Sequence, residues 1–146
     1  MDSTNSSHLP GPKQHNIALL FLRIASASVF LYHGSGILFG AFGGPGAARF
    51  AAGMHAPAIV GYLVGLAEFG GGLAILTGIL FRIGAACVAI VMLGAILLVH
   101  LPHGFDIGHG GAEFALTQLL IAAALLLTGP GALSLGRFFG PVFRKL

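Results

Sequence analysis

Residues 57–101 read PAIVGYLVGLAEFGGGLAILTGILFRIGAACVAIVMLGAILLVHL, which is two long apolar runs separated by Phe81-Arg82. An α-helix needs about 20 residues, at a rise of 1.5 Å each, to cross roughly 30 Å of hydrocarbon. Both runs are long enough. We therefore predict two transmembrane helices, 57–80 and 83–101, joined as a tight antiparallel hairpin.

Two further apolar runs flank this hairpin. Residues 17–39 end at Gly40 and a Gly-Gly-Pro-Gly breaker, and residues 112–128 end at Gly-Pro-Gly. The chain is thus predicted to be an all-α membrane protein, a bundle of four transmembrane helices. The predicted organisation is a polar disordered N-terminal tail, a transmembrane domain and a cytoplasmic amphipathic tail, at residues 1–16, 17–134 and 135–146. A short interfacial helix is predicted at residues 47–52.

The composition agrees with this class. Of 146 residues, 56% are hydrophobic and 8% are charged, whereas soluble domains carry about 25% charged residues. The seven Lys and Arg residues are scattered rather than clustered, which argues against a nucleic-acid partner. The single cysteine, Cys87, excludes an intrachain disulfide or a C-x-x-C redox pair.

The distribution of positive charge predicts the orientation. Six Lys and Arg residues fall on one side of the predicted bundle and only Arg49 falls on the other. Because cytoplasmic loops carry the excess of Lys and Arg, both termini are predicted to be cytoplasmic. The six are Lys13, Arg23, Arg82, Arg137, Arg144 and Lys145.

Two weaker patterns concern packing. Ala67-Glu68-Phe69 recurs as Ala112-Glu113-Phe114, which is compatible with two parallel two-helix repeats. Small residues in the second helix favour close approach of a neighbouring backbone. They are Gly61, Gly65, Gly70, Gly71 and Gly72.

Four ionisable residues on four different helices are the candidate functional groups: His33, Glu68, His100 and Glu113. Ionisable groups inside a membrane are expensive, by at least about 2.5 kcal/mol, and mark functional sites. With both termini inside, all four fall in the outer half of the bundle or at its outer boundary. Asp106, His103 and His109 add a loop above them.

Each of these residues also has a purely structural interpretation. Glu113 opens its helix, where a carboxylate is favoured by the helix dipole, and His100 at an interface can be solvated. Glu68 has no Lys or Arg at its depth, so it must be protonated or hydrogen-bonded to a partner such as His33. Glu68 and His33 are therefore the predicted catalytic pair, and all four residues are predicted to contact a cofactor.

The cofactor chemistry that fits these residues best is that of a quinone. A histidine and a carboxyl at bilayer depth can hydrogen-bond the carbonyls of a quinone and exchange protons with it. No H-x-x-x-H or E-x-x-H spacing occurs within one helix, so no metal site is predicted, although haem or metal ligation stays open.

Several motifs resemble the DoxX family, over roughly residues 17–135. They are Leu31-Tyr32-His33-Gly34, residues 65–72 (GLAEFGGG), residues 99–105 (VHLPHGF), Glu113-Phe114-Ala115-Leu116 and residues 129–135 (GPGALSL). The resemblance implies a four-helix protein of the bacterial cytoplasmic membrane, related to a small subunit of a thiosulfate:quinone oxidoreductase or quinol oxidase. His33, Glu68, His100 and Glu113 match recurrent polar positions of that family, whereas His103 stands where the family usually has Asn.

The sequence leaves three functions open. The first is a redox subunit that binds quinone beside a partner protein holding the redox centre, as part of a quinone-dependent oxidoreductase. The second is a non-catalytic anchor or assembly factor for such an enzyme, and the third is a small proton-coupled transporter. The expected partners are the lipid bilayer, quinone, and a redox protein or further copies of this chain.

Overall fold

A computed structural model describes residues 11–139, and within this range the secondary structure is helical without strands. The main helices are α1 (Pro12–Phe39), α2 (Ala47–Gly53), α3 (Ala58–Thr77), α4 (Phe81–Ala95) and α5 (Glu113–Thr128). Helix α4 continues through a π-helical segment, Ile96–His100, and a 3-10 turn, Leu101–His103. Further 3-10 turns lie at Ala41–Gly43, Ile107–His109 and Leu135–Phe138.

Three helical stretches are long and apolar enough to cross a membrane: Pro12–Phe39, Ala58–Thr77 and Phe81–His103. Helix α5 is apolar as well but has only 16 residues, about 24 Å at 1.5 Å per residue. The outward faces of these helices carry many exposed large apolar side chains, among them Leu63, Ile90, Leu98 and Leu127. Exposed apolar surface of this extent marks contact with lipid or protein.

The predicted helix boundaries need correction at two places, the start of α1 and the turn between α3 and α4. Helix α1 begins at Pro12 rather than at residue 17, because proline is pre-organised for the first helical position and Gln14 accepts from the Gly11 N–H. Residues 12–16 therefore do not belong to a polar tail, and residues 1–10 lie outside the described range. The turn between α3 and α4 spans residues 78–80 rather than 81–82, since Gly78 takes the left-handed conformation (φ 74°) that ends α3.

The remaining boundaries lie within a few residues of those predicted. Pro57 caps α3 and Ala112 caps α5, while the predicted short helix 47–52 is observed as α2. The predicted C-terminal amphipathic tail contains the 3-10 turn Leu135–Phe138, and its residues 140–146 lie outside the described range.

Glycines hold α1 against α3. A Cβ added at Gly34 would lie 2.4 Å from the backbone nitrogen of Phe69, and one added at Gly72 would lie 3.1 Å from that of Leu31. The predicted close approach of a neighbouring backbone to the second helix is thus confirmed at Gly72, because only a hydrogen side chain permits it. Gly34 of α1 was not part of that prediction, and Gly70 makes no such contact, since no described atom lies within 4 Å of a Cβ built there.

Helices α3 and α4 pack tightly near their turn, where a Cβ at Gly71 would lie 3.0 Å from the carbonyl oxygen of Gly84. Beyond this contact, toward the N-terminal half of α3, residues of both helices line a cavity. The buried core lies mainly around α1, α4 and α5. Its members are Leu19, Ala27, Phe30, Ile75, Phe81, Ala85, Val88, Met92, Ala115, Ala122 and Leu125.

Candidate functional site

A cavity of about 700 Å³ lies between α1, α2, α3, α4 and α5, at the end of the bundle away from the α3–α4 turn. Among the described residues that line it, His33, Glu68 and His100 supply the polar side chains. The cavity thus has the size and the largely apolar lining typical of small-molecule sites, with a few polar groups converging on it. The apolar residues include Phe30, Ile37, Phe50, Met54, Val60, Val64, Ile90, Val91, Leu98, Val99, Ile107 and Phe114.

Glu68 is the most unusual group in this lining. It projects from the middle of α3 and is 7% exposed, and its Oε2 has no hydrogen-bond partner among the described residues. The hydrogen bond to His33 that the sequence suggested is therefore not formed at this oxygen. A buried polar atom without a partner costs about 1–3 kcal/mol, so Glu68 is held here at the expense of stability.

His33 lies within the last two turns of α1, and its side chain is exposed. Its ring packs edge-on against Tyr32, with centroids 5.4 Å apart, and lies 6.3 Å from the ring of Phe114. These contacts place an imidazole beside aromatic rings at the rim of the cavity. The aromatic environment can accommodate a further flat ring.

His100 reaches the cavity from the π-helical segment that follows α4. Its Nδ1 lies 2.7 Å from the carbonyl oxygen of Gly110, and because a carbonyl only accepts, Nδ1 carries the hydrogen. In the neutral ring Nε2 is then an acceptor. π-Helical insertions occur frequently at functional sites, and here the insertion lies among the lining residues.

Glu113 does not line the cavity. Its Oε2 accepts a hydrogen bond from the backbone N–H of Ile107 at 3.2 Å, so its carboxylate closes the loop between the end of α4 and the start of α5. The backbone of the same loop is bonded from Ala112 N to Gly104 O and from Glu113 N to Phe105 O, at 2.9 Å each. The structure therefore brings together three of the four predicted residues and assigns the fourth to the loop above them.

The other residues of this loop bond among themselves. Asp106 accepts from Gly108 N at 2.9 Å and pairs with Nδ1 of His109 at 2.6 Å, while Nδ1 of His103 donates to Val99 O at 2.9 Å. Within residues 11–139, no group of three or more His, Cys, Asp or Glu residues is clustered as metal ligands would be.

Sequence reasoning missed one residue, Arg23, which it treated only as a signal of orientation. Its side chain is 1% exposed and donates to four carbonyl oxygens, two at the end of α3 and two in the segment that follows α5. They belong to Ile75, Leu76, Pro130 and Leu133. The burial of an arginine in the apolar run of α1 was the available signal, since such a cation needs partners.

Comparison with known proteins identifies the family. The DoxX family profile matches residues 18–101, more than half of the chain. The chain belongs to the DoxX family. The matched region of this DoxX-family protein contains His33, Glu68 and His100, the three polar residues of the cavity.

A curated relative agrees with this assignment over a longer stretch. The chain is 32% identical over 126 residues, 86% of its own length and 90% of the relative's, to "Putative oxidoreductase CatD" of Bacillus subtilis (strain 168). No solved structure matches the chain. The cavity described above therefore gives this DoxX-family chain a candidate site from its own geometry.

Proposed function

We propose that the chain is the membrane subunit of a redox system, and that its cavity binds a quinone or quinol. The observation that carries this proposal is the buried Oε2 of Glu68, which has no hydrogen-bond partner among residues 11–139 and faces a largely apolar cavity of about 700 Å³. A ligand that fits must be mainly apolar, flat enough for the aromatic rim, and able to bond a carboxyl. A quinone head group meets these requirements, and the oxidoreductase name of the Bacillus subtilis relative favours redox chemistry.

The hydrogen-bonding groups of Glu68 and His100 suit both the quinone and the quinol form of such a ligand. A quinone supplies two-electron, two-proton chemistry when it is bound. Oε2 of Glu68 can donate a proton to a carbonyl or accept one from a hydroxyl, whereas Nε2 of neutral His100 can only accept. His100 therefore favours the hydroxyl of a quinol, and Glu68 can serve in either direction as the group that holds or releases a proton.

Glu113 takes a positioning role in this proposal. By fixing Ile107, which lines the cavity, its carboxylate closes the roof over the ligand. Phe50 and Met54 of α2 belong to the same lining. The roof and these side chains exclude water from the carboxyl, which strengthens the hydrogen bonds made there. Electrons come from a partner protein.

Equilibrium binding of a short-chain quinone to the purified protein tests the proposal. We expect Glu68→Gln to keep its fold in detergent and to weaken quinone binding by about tenfold, the factor that corresponds to 1.4 kcal/mol. Ser26→Ala is the matched control, because Ser26 is buried but bonds Gln118 (3.1 Å) and does not line the cavity. Equal binding by the parent and by Glu68→Gln would contradict the quinone site and favour the anchor function.

The topology proposed with this function has four spans and both termini in the cytoplasm of a bacterial cell, which places the cavity in the outer half of the bundle. Cysteines introduced at Leu80, which is exposed in the α3–α4 turn, and at Asp106, in a Cys87→Ser background, report the two ends. The Asp106 position should react with an impermeant reagent from outside intact cells, and the Leu80 position only after lysis. Labelling of both positions from the same side would contradict the four-span arrangement.

A further inference from the structure

Within residues 11–139, the end of the bundle opposite the cavity carries positive charge and no acidic residue. Lys13, Arg23, Arg82 and Arg137 lie at the end where α1 begins and α3 turns into α4. The acidic residues within residues 11–139 are elsewhere, with Glu68 in the middle of α3 and the other two in or beside the loop before α5. Among residues 11–139, the single ion pair joins Asp106 to His109, and it lies at the cavity end of the bundle.

A groove of about 300 Å³ opens at this cationic end, between α1, the end of α3 and the segment 132–138. Arg23 and Arg137 both line it. Its apolar wall is open to the surroundings, since Leu133 is 45% exposed, Leu135 53% and Phe138 73%. The groove therefore combines two cations with exposed apolar side chains.

The two arginines contribute differently. Arg23 is buried and its hydrogen bonds go to four carbonyl oxygens, which satisfy its donors but carry no formal negative charge. Arg137 is exposed; its guanidinium lies 4.8 Å above the ring of Phe138 and donates to Ala132 O at 3.1 Å. A guanidinium has five N–H donors in a fork that fits a phosphate at two points, so Arg137 keeps donors for a ligand.

We propose that this groove binds an anionic phospholipid, with its phosphate on Arg137 and an acyl chain along Leu133, Leu135 and Phe138. Arg23 adds a fixed positive charge behind the phosphate and holds the carbonyls of Pro130 and Leu133, which keep the groove in shape. The apolar wall selects a lipid over a free phosphate ion. Basic pockets at the cytoplasmic face of membrane proteins recognise lipid head groups by this combination of charge and apolar contact.

Native mass spectrometry of the purified full-length protein tests the proposal, with phosphatidylglycerol and phosphatidylcholine of the same acyl chains as probes. The parent should retain phosphatidylglycerol in preference to phosphatidylcholine. Arg137→Gln should lower the fraction with bound phosphatidylglycerol about tenfold, because a charge-assisted bidentate contact is lost. Arg137→Lys keeps the charge without the fork, so its binding should fall between the two.

Lys13→Gln is the matched control. Lys13 is exposed at the same end of the bundle but does not line the groove, so its replacement removes one positive charge without removing a groove residue. It should bind phosphatidylglycerol within about twofold of the parent. Equal losses in Lys13→Gln and Arg137→Gln would overturn the proposal in favour of general surface charge. Full binding by Arg137→Gln, or displacement of the lipid by excess inorganic phosphate, would also overturn it.

Discussion

At one end of the bundle Arg23 donates to four carbonyl oxygens. Toward the other end, beside a cavity, Glu68 has a buried oxygen with no hydrogen-bond partner in the described part of the chain. Both side chains are buried inside helices of a membrane protein, and both would be costly there without partners. The hydrogen bonds of the arginine are all made within the chain, whereas the carboxyl keeps an oxygen that a ligand can bond. Burial alone therefore does not identify a functional group, because the hydrogen bonds of the buried group decide whether it serves the fold or a ligand.

The largest effect on stability is expected at the arginine. Arg23→Gln should lower the free energy of unfolding in detergent by about 3 kcal/mol, since it leaves several buried carbonyls unpaired. Thermal unfolding of the purified variant measures this loss. Arg23→Lys, which keeps the charge but cannot reach four carbonyls, should be destabilised by less. A parent-like unfolding midpoint in Arg23→Gln would mean that the four hydrogen bonds do not hold the bundle together.

A smaller effect is expected at the loop above the cavity. Glu113→Ala should cost about 1 kcal/mol, because the N–H of Ile107 loses its acceptor and the start of α5 loses a favourable carboxylate. Quinone binding should weaken with it, as the roof of the cavity loosens. Glu113→Gln keeps an acceptor oxygen and serves as the control. If Glu113→Ala weakens binding as much as Glu68→Gln does and without destabilisation, Glu113 contacts the ligand directly.

The smallest effect on stability is expected at Glu68 itself. Replacing a buried polar group that lacks a partner by an apolar one of similar size is nearly neutral or stabilising. Glu68→Leu should therefore unfold at the parent's temperature or above it, while its quinone binding is lost. A clear destabilisation in the unfolding measurement would show that Glu68 supports the fold, as Arg23 does, and the contrast between the two ends would fail.

Much of the helical framework could be predicted from the sequence, because long apolar runs and glycine breaks act locally. Gly40 ends α1 at the predicted residue in the left-handed conformation that favours glycine, whereas Gly78 ends α3 before the predicted boundary at residue 80. The close approach at Gly72 follows from the small side chains of α3, but its counterpart, Gly34 of α1, was not predicted. The predicted start of α1 at residue 17 is wrong, because residues 12–16 are polar and hydropathy does not reveal that the helix begins at Pro12.

The site was less accessible to such reasoning, because its geometry depends on contacts between distant residues. The carbonyls that Arg23 bonds lie 52 to 110 positions away along the chain, and no local pattern shows them. The π-helical segment that carries His100 has no distinct composition within an apolar run. Glu113 had two interpretations of equal weight, and only the position of Ile107 in space links its carboxylate to the loop.

Infrared difference spectroscopy of the carboxyl groups, on addition of a short-chain quinone, shows whether Glu68 bonds the ligand. If Oε2 of Glu68 gains a hydrogen bond from or to the ligand, a carboxyl band must shift in the parent. The shift should vanish in Glu68→Gln and persist in Glu113→Gln. Quinone binding that leaves every carboxyl band unchanged, or a shift that survives in Glu68→Gln, would mean that Glu68 does not bond the quinone.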